Sequence, residues 1–268
     1  MRIDFHTHAF PDALAPRALA KLEGPIHIPP CTDGTVSGLI ERLDEGGIDR
    51  AVVCNIATNA KQTENVNSFA IETLRAHGDR LTPLGSVHPD YPDPEREIRR
   101  IRDAGIPGLK LHPDYMGFLI DDPAFDEIFS LAAEYGLFVL IHAGFDVYSP
   151  ALIHATPDGI LRRMERSPET TLVAAHYGGN CLYDEVEEKL IGRDLYIDAS
   201  MGEVMRLDPH QAARILSKHD PDRILFGSDC PWASPAATFR WLDSLPLSDE
   251  RKEKLFGKNA ERLLKLNK

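Results

Sequence analysis

The sequence predicts an α/β fold, a single (β/α)8 TIM barrel occupying residues 1–268. Three observations carry the prediction. Eight short apolar runs alternate with amphipathic stretches along the chain. Several runs, such as Leu137-Phe-Val-Leu-Ile141, are hydrophobic throughout, as parallel strands covered on both faces should be. The length of 268 residues suits one barrel of eight such units. A doubly wound open sheet would show the same alternation, but no GxGxxG turn follows the first strand.

The elements follow in order. Met1 to His8 reads as the first strand. A loop and helix region broken by Pro11, Pro16, Pro25, Pro29 and Pro30 comes next. It ends in a helix from Val36 to Glu45, where Val36, Leu39, Ile40 and Leu43 share a face and Gly46-Gly47 stops the turn. Strand two is Arg50–Ile56, followed by a helix from about Gln62 to His77. Strand three, Leu81–Val87, leads to Asp93-Pro94, an N-cap with proline at the first helical position. Strand four is Gly108–His112, and Asp122-Pro123 opens the helix that stops at Tyr135-Gly136. Strand five, Leu137–His142, precedes a helix from Thr156-Pro157 to about Arg166. Strand six is Thr171–His176, with a charged helix from about Tyr183 to Ile191. Strand seven is Leu195–Ser200, with a helix over Pro209–Lys218. Strand eight, Arg223–Asp229, is followed by helices around Ala236–Leu245 and Ser248–Leu266.

Composition narrows the function classes. A net charge of -12 and a pI near 5.4 argue against nucleic acid and anionic membranes as partners. No apolar segment approaches the ~20 residues of a membrane span. Arg2 is followed directly by strand and histidines, so no secretory leader is expected. Cys31, Cys54, Cys181 and Cys230 are scattered without a CxxC pair, which predicts reduced thiols and a cytoplasmic setting.

Barrel enzymes place their chemistry at the C-terminal ends of strands. His6 and His8 end strand one, His112 strand four, His142 strand five, His176 strand six and Asp229 strand eight. Strand alternation turns His6 and His8 to the same side, half of a metal site. Each residue alone has an ordinary structural role open to it, as a carbonyl-bonded core histidine or a turn former. Their joint placement at one rim predicts a metal centre. By the same alternation Asp4 lies one layer below His6, and Lys110 one layer below His112. Asp4 and Lys110 are therefore expected as buried charged support, with His112 beside the substrate or structural ahead of Pro113. Trp232 is expected as a pocket wall or an outer packing aromatic. Asp198 is expected to cap a layer or orient a ligand, Cys230 to be a small buried residue, and Tyr177 and Asn180 to lie on the loop after strand six.

These residues stand in the stretches Ile3-Asp-Phe-His-Thr-His8, Gly108-Leu-Lys-Leu-His-Pro113, Ile141-His-Ala-Gly144, Ala175-His-Tyr-Gly-Gly179, Leu225-Phe-Gly-Ser-Asp-Cys-Pro-Trp232 and Asn259-Ala-Glu-Arg-Leu-Leu264. In order and spacing they resemble the amidohydrolase superfamily, and within it the amidohydrolase-2 branch that includes aminocarboxymuconate-semialdehyde decarboxylase. The resemblance spans the chain. It implies His6, His8, His142 and Asp229 as ligands of one divalent metal ion, most often Zn2+, with His176 as the acid/base beside it and Asp229 also catalytic, accepting a proton from the metal-bound water. Relatives of this kind are often homodimers. An imidazole suits that acid/base role because its ordinary pKa is near ~6.5.

The expected activity is that of a metal-dependent hydrolase, with a metal-activated water attacking an ester, lactone or amide of a small organic substrate. Non-oxidative decarboxylation of an unsaturated or aromatic acid is the alternative on the same site. It calls for a cation to hold the substrate carboxylate, and Arg17 is the one candidate near the rim. A non-catalytic metal-binding protein is the third possibility, and it would require a missing ligand or acid/base.

Overall fold

The computed structural model describes residues 1–266, apart from the side chains of residues 24–26. Residues 267–268, the end of the expected domain, lie outside the described residues. The chain runs β1 (Ile3–Thr7), α1 (Ala15–Ile26), α2 (Val36–Gly46), β2 (Arg50–Cys54), α3 (Thr63–His77), β3 (Leu81–Leu84) and α4 (Pro94–Asp103). It continues through β4 (Gly108–Leu111), a single turn α5 (Pro113–Met116), α6 (Asp126–Glu134), β5 (Phe138–Ile141), α7 (Pro157–Arg166) and β6 (Leu172–Ala174). α8 (Tyr183–Lys189), β7 (Tyr196–Asp198), α9 (Pro209–Lys218), β8 (Ile224–Leu225) and α10 (Pro235–Ser244) complete the units. α11 (Asp249–Glu253) and α12 (Asn259–Leu263), joined by a π-helical turn, occupy the stretch expected as one final helix. The helix starts follow from their caps: Thr35, Asp93, Thr156 and Ser234 each accept a backbone N–H from the first turn.

All strand pairs are parallel, in the orders β1-β2-β3 and β4-β5-β6-β7-β8. Hydrogen bonds join the two arcs at both seams. Between β3 and β4, Gly85 N donates to Gly108 O (3.0 Å) and Lys110 N to Gly85 O (2.7 Å). Between β8 and β1, Phe5 N donates to Phe226 O (2.7 Å), Asp229 N to His6 O (2.7 Å) and His8 N to Cys230 O (2.6 Å). Parallel bridges Gly85–Leu109 and Thr7–Cys230 mark the same seams. The ring therefore closes, as the eightfold alternation predicts.

The barrel interior has an apolar floor and a polar upper layer. Ile3, Phe5, Val52, Leu84, Phe138, Leu140, Val173 and Leu225 form the floor, closed from below by Ala260 and Leu264 of the C-terminal helix. Phe138 fits because its neighbour on β4 is Gly108, where a Cβ would lie 2.8 Å from the Phe138 ring. Above them lie Lys110, Asp198, His6, His142 and His176, all buried. A polar layer of this size survives burial only because nearly every group finds a partner.

β1 departs from plain alternation. Asp4 is in register with Ala51 and Thr7 with Val53, so three steps on β1 oppose two on β2. This bulge inserts a residue and resets which side chains face inward. Phe5 stays in the floor, 5.5 Å from Phe138, while His6 also turns in.

Candidate metal centre

Three ligand-type residues converge where the top of β1 meets the segment after β8. The metal-binding atoms of His6, His8 and Asp229 all lie within 4.8 Å of one another. Asp229 Oδ1 is 3.0 Å from His8 Nε2 and 3.4 Å from His6 Nε2. Asp229 takes a left-handed backbone, φ 72°, and its N–H is bonded to the carbonyl of His6, which aims the carboxylate across the seam.

The ring nitrogens are assigned by their partners. His6 Nδ1 faces Asp198 Oδ2 at 2.9 Å, and a carboxylate there can only accept, so Nδ1 carries the proton. His8 Nδ1 donates likewise to the carbonyl of Cys54 at 2.8 Å. Both histidines thus present a bare Nε2 to Asp229. Bonding the far nitrogen to a carboxylate or carbonyl is how a metal-ligating imidazole is usually fixed.

The same logic runs through the rest of the layer. The Ser200 hydroxyl donates its proton to Asp198 Oδ1. His176 Nδ1, 2.8 Å from Ser200 Oγ, must then donate to it. His176 Nε2 is left as the acceptor from His142 Nδ1 at 3.0 Å. His142 Nε2 ends the chain as a bare nitrogen, buried and without a hydrogen-bond partner. Asp198 therefore supports His6 directly and His176 through Ser200. The set His6, His176 and Asp198 also lies within 4.8 Å, and these bonds make it a supporting network.

His142 stands apart from the three converging ligands. It groups with His112 and Asp146. The His112 ring is stacked between Tyr115 (centroids 3.6 Å apart) and His142 (4.1 Å). Asp146 Oδ2 lies 3.6 Å from His112 Nε2 and 3.9 Å from His142 Nε2. Asp146 had not been singled out from the sequence. Its signal was position alone: an acidic residue four after His142, on the loop beyond a strand end.

Burial decides the charge states. It pushes His6, His112 and His176 well below the ordinary imidazole range and His142 down to about 4, with the Lys110 ammonium adding to the effect on each. These imidazoles are neutral at pH 7 and ready to bind a cation. Burial alone would raise Asp229, but its carboxyl lies below the usual range, and the positive charge of Lys110 acts in that direction. Burial drives Asp146 up to about 6 and Asp4 up to about 7.

The structure places the two supporting residues differently. Asp4 is not stacked beneath His6, because the bulge separates their faces; its Oδ1 accepts from His6 N (3.2 Å) and Ser228 N (2.9 Å) and pins the seam. Lys110 lies directly under the centre with Nζ 3.2 Å from His6 Nε2, the same nitrogen that faces Asp229. The two are not a charged pair. Trp232 packs with Leu19, Met201 and Ala233 in an apolar cluster formed by α1 and the loops after β7 and β8. Tyr177 is fully buried against Tyr183, and Arg17 is exposed on α1.

The donor set fits a divalent ion: two oriented Nε2 atoms, a carboxylate within hydrogen-bond distance, and a further buried bare nitrogen on His142 in the same polar layer.

Comparisons with known proteins agree with this architecture. A family model described as Amidohydrolase (Amidohydro_2) matches residues 3–266, and the chain belongs to that family. No curated protein sequence matches it. Among solved structures, an uncharacterized TIM-barrel protein from Bordetella bronchiseptica is similar at 20% identity and a TM-score of 0.78, covering 98% of each chain. 5-Carboxyvanillate decarboxylase from Sphingomonas paucimobilis is similar at 17% identity and 0.72, again over 98% of each chain. A dihydroxybenzoic acid decarboxylase from Polaromonas, solved with manganese and an inhibitor, is similar at 15% identity and 0.73, covering 100% of this chain and 97% of that one. At these identities the likeness establishes the fold. Among the described residues, no helix is long and apolar enough to cross a membrane.

Proposed function

We propose that this amidohydrolase-family enzyme binds one divalent metal ion through His6, His8 and Asp229, with His142 as a further ligand, and hydrolyses an ester, lactone or amide of a small organic substrate. The observation that carries the metal assignment is the pair of fixed tautomers that turn His6 Nε2 and His8 Nε2 towards Asp229. A mixed imidazole and carboxylate set suits Zn2+, and manganese is the alternative that metal loading resolves.

The bound ion would polarise a substrate carbonyl and lower the pKa of a coordinated water towards ~7. The protein's own groups supply the rest. His176 is neutral and can take a proton at Nε2 once the hydrogen bond from His142 Nδ1 opens; the hydrogen bond from Nδ1 through Ser200 to Asp198 then stabilises the imidazolium. From Nε2 that proton can be returned to the leaving group. The apolar cluster of Leu19, Met201, Trp232 and Ala233, in which Trp232 stands three residues after Asp229, would suit a substrate with a hydrocarbon or aromatic body.

Decarboxylation of an unsaturated or aromatic acid is the second reading, supported by the decarboxylases among the similar structures. Against it stands the choice of cations. Lys110 is buried with its Nζ 3.2 Å from His6 Nε2, and Arg17, the arginine expected near the rim, is exposed on α1. The test loads the protein with zinc or manganese and screens lactones, esters and amides for acid release and aromatic acids for CO2. Turnover of an acyl compound that disappears in His8→Ala supports hydrolysis. CO2 release without acyl turnover overturns it in favour of the second reading.

A further inference from the structure

The loop after β1 returns over the top of β8 and sets Cys31 against Cys230, with their sulfurs 3.7 Å apart. Both backbones are pinned. Cys31 N donates to Pro231 O (2.8 Å), Cys230 N donates to Ser228 Oγ (3.0 Å), and Cys230 O accepts from His8 N (2.6 Å). The Cys31 thiol also reaches the carbonyl of Ala233 at 3.4 Å. The sulfurs thus face each other because two anchored segments meet there. Cys230 is buried, and Cys31 is half-buried and within reach of solvent. Cys54 is buried elsewhere and Cys181 is exposed.

We propose that Cys31 and Cys230 form a dithiol oxidation site, which a hydroperoxide converts to a disulfide that clamps the β1 loop to the residue next to Asp229. The Cys31 sulfur attacks the peroxide O–O bond, taking one oxygen as a sulfenic acid while the other leaves as water or alcohol. The Cys230 sulfur then attacks the Cys31 sulfur; the S–S bond forms, the S–O bond breaks, and water leaves. The two thiols lose two protons and two electrons, and the peroxide is reduced by the same two electrons. Closure needs the sulfurs to move from 3.7 Å to about 2.05 Å. Hydrogen bonding to Cys230 holds the Cys31 thiol below its usual range, in keeping with Cys31 as the attacking sulfur. The bridge would join positions 199 apart in sequence and constrain the strained backbone of Asp229.

The test treats the full-length, metal-loaded protein with stoichiometric hydrogen peroxide, blocks free thiols and maps peptides by mass spectrometry without reduction. The expected product is a Cys31–Cys230 cross-linked peptide, two hydrogens lighter than its parts, which dithiothreitol reverses. It should form undiminished in Cys181→Ser and be lost in Cys31→Ser. Recovery of Cys31 as sulfinic acid with Cys230 still a free thiol, or a cross-link made through Cys181, overturns the proposal. The readout is independent of metal and substrate, so it stands whatever reaction the centre performs.

Discussion

His6 Nδ1 and Asp198 Oδ2 are 2.9 Å apart and both residues are buried, although they lie 192 positions apart in sequence. That bond holds the proton on Nδ1 and leaves Nε2 free for a metal ion. Asp198→Asn keeps the shape but removes the charge and offers a donor in its place. Metal affinity, measured by chelator competition, should fall by about 10–100-fold while the circular dichroism spectrum is retained. Unchanged affinity would show that Asp198 does not set the His6 tautomer.

Lys110 bears on the same nitrogen from below. Its ammonium lies 3.2 Å from His6 Nε2, so in the metal-free protein it competes with a cation for that lone pair and repels it. Lys110→Met should bind zinc roughly 10-fold more tightly, about 1.4 kcal/mol. Titration calorimetry checks this. Weaker binding in the variant would mean that Lys110 contributes to holding the ion.

Metal-free protein should lose stability on mild acidification. In the unfolded chain His142 takes a proton near 6.5, and in the folded chain only near 4. Between those values the unfolded state binds more protons, so stability is full above about 6.5 and falls as pH drops towards 4. His142 alone can account for about 3 kcal/mol, and His6, His112 and His176 act in the same direction. Asp4, raised to about 7, opposes them, because it stabilises below its unfolded value of 3.8 and ceases to do so as pH rises through 7. Urea unfolding at pH 7 and pH 5 tests the net sign. A flat or rising stability at pH 5 would contradict the burial-driven account.

His176 and Ser200 separate acid/base chemistry from metal binding. On whichever substrate class turns over, His176→Asn should lower kcat by about 10²–10⁴-fold with metal content retained. Ser200→Ala breaks the link from His176 Nδ1 to Asp198 but leaves the imidazole in place. It should cost roughly 10-fold in kcat and shift the pH profile, with little effect on KM. An activity profile unchanged in both variants would remove His176 from the mechanism.

The strand-end histidines and Asp229 were legible because a barrel assigns chemistry to strand ends, and strand ends are marked by where apolar runs stop. The rim position of His6, His8 and Asp229 was legible from this alone, and their ligand-type atoms converge in the structure. Asp4 was not, since a bulge leaves no mark in a sequence of alternating residues and shifts every later side chain by one face. Asp198 was seen as a strand-seven residue with two open roles; its bonds to His6 and His176 depend on three strands distant in sequence meeting in space. Asp146 had only its position, four residues after His142, to mark it. His142 was read with the first three ligands; in the structure its ring also stacks on His112 and its Nε2 lies 3.9 Å from Asp146.

The sequence by itself determined the eightfold alternation, the apolar strands and the residues that end them, because these depend on local periodicity and composition. The tertiary structure decided the barrel's two seams, the bulge in β1, the ring nitrogen each histidine presents and the meeting of Cys31 with Cys230. Those depend on which distant backbones share a hydrogen bond. No local pattern encodes that a carboxylate on β7 lies behind an imidazole on β1, and on that contact the candidate metal centre depends.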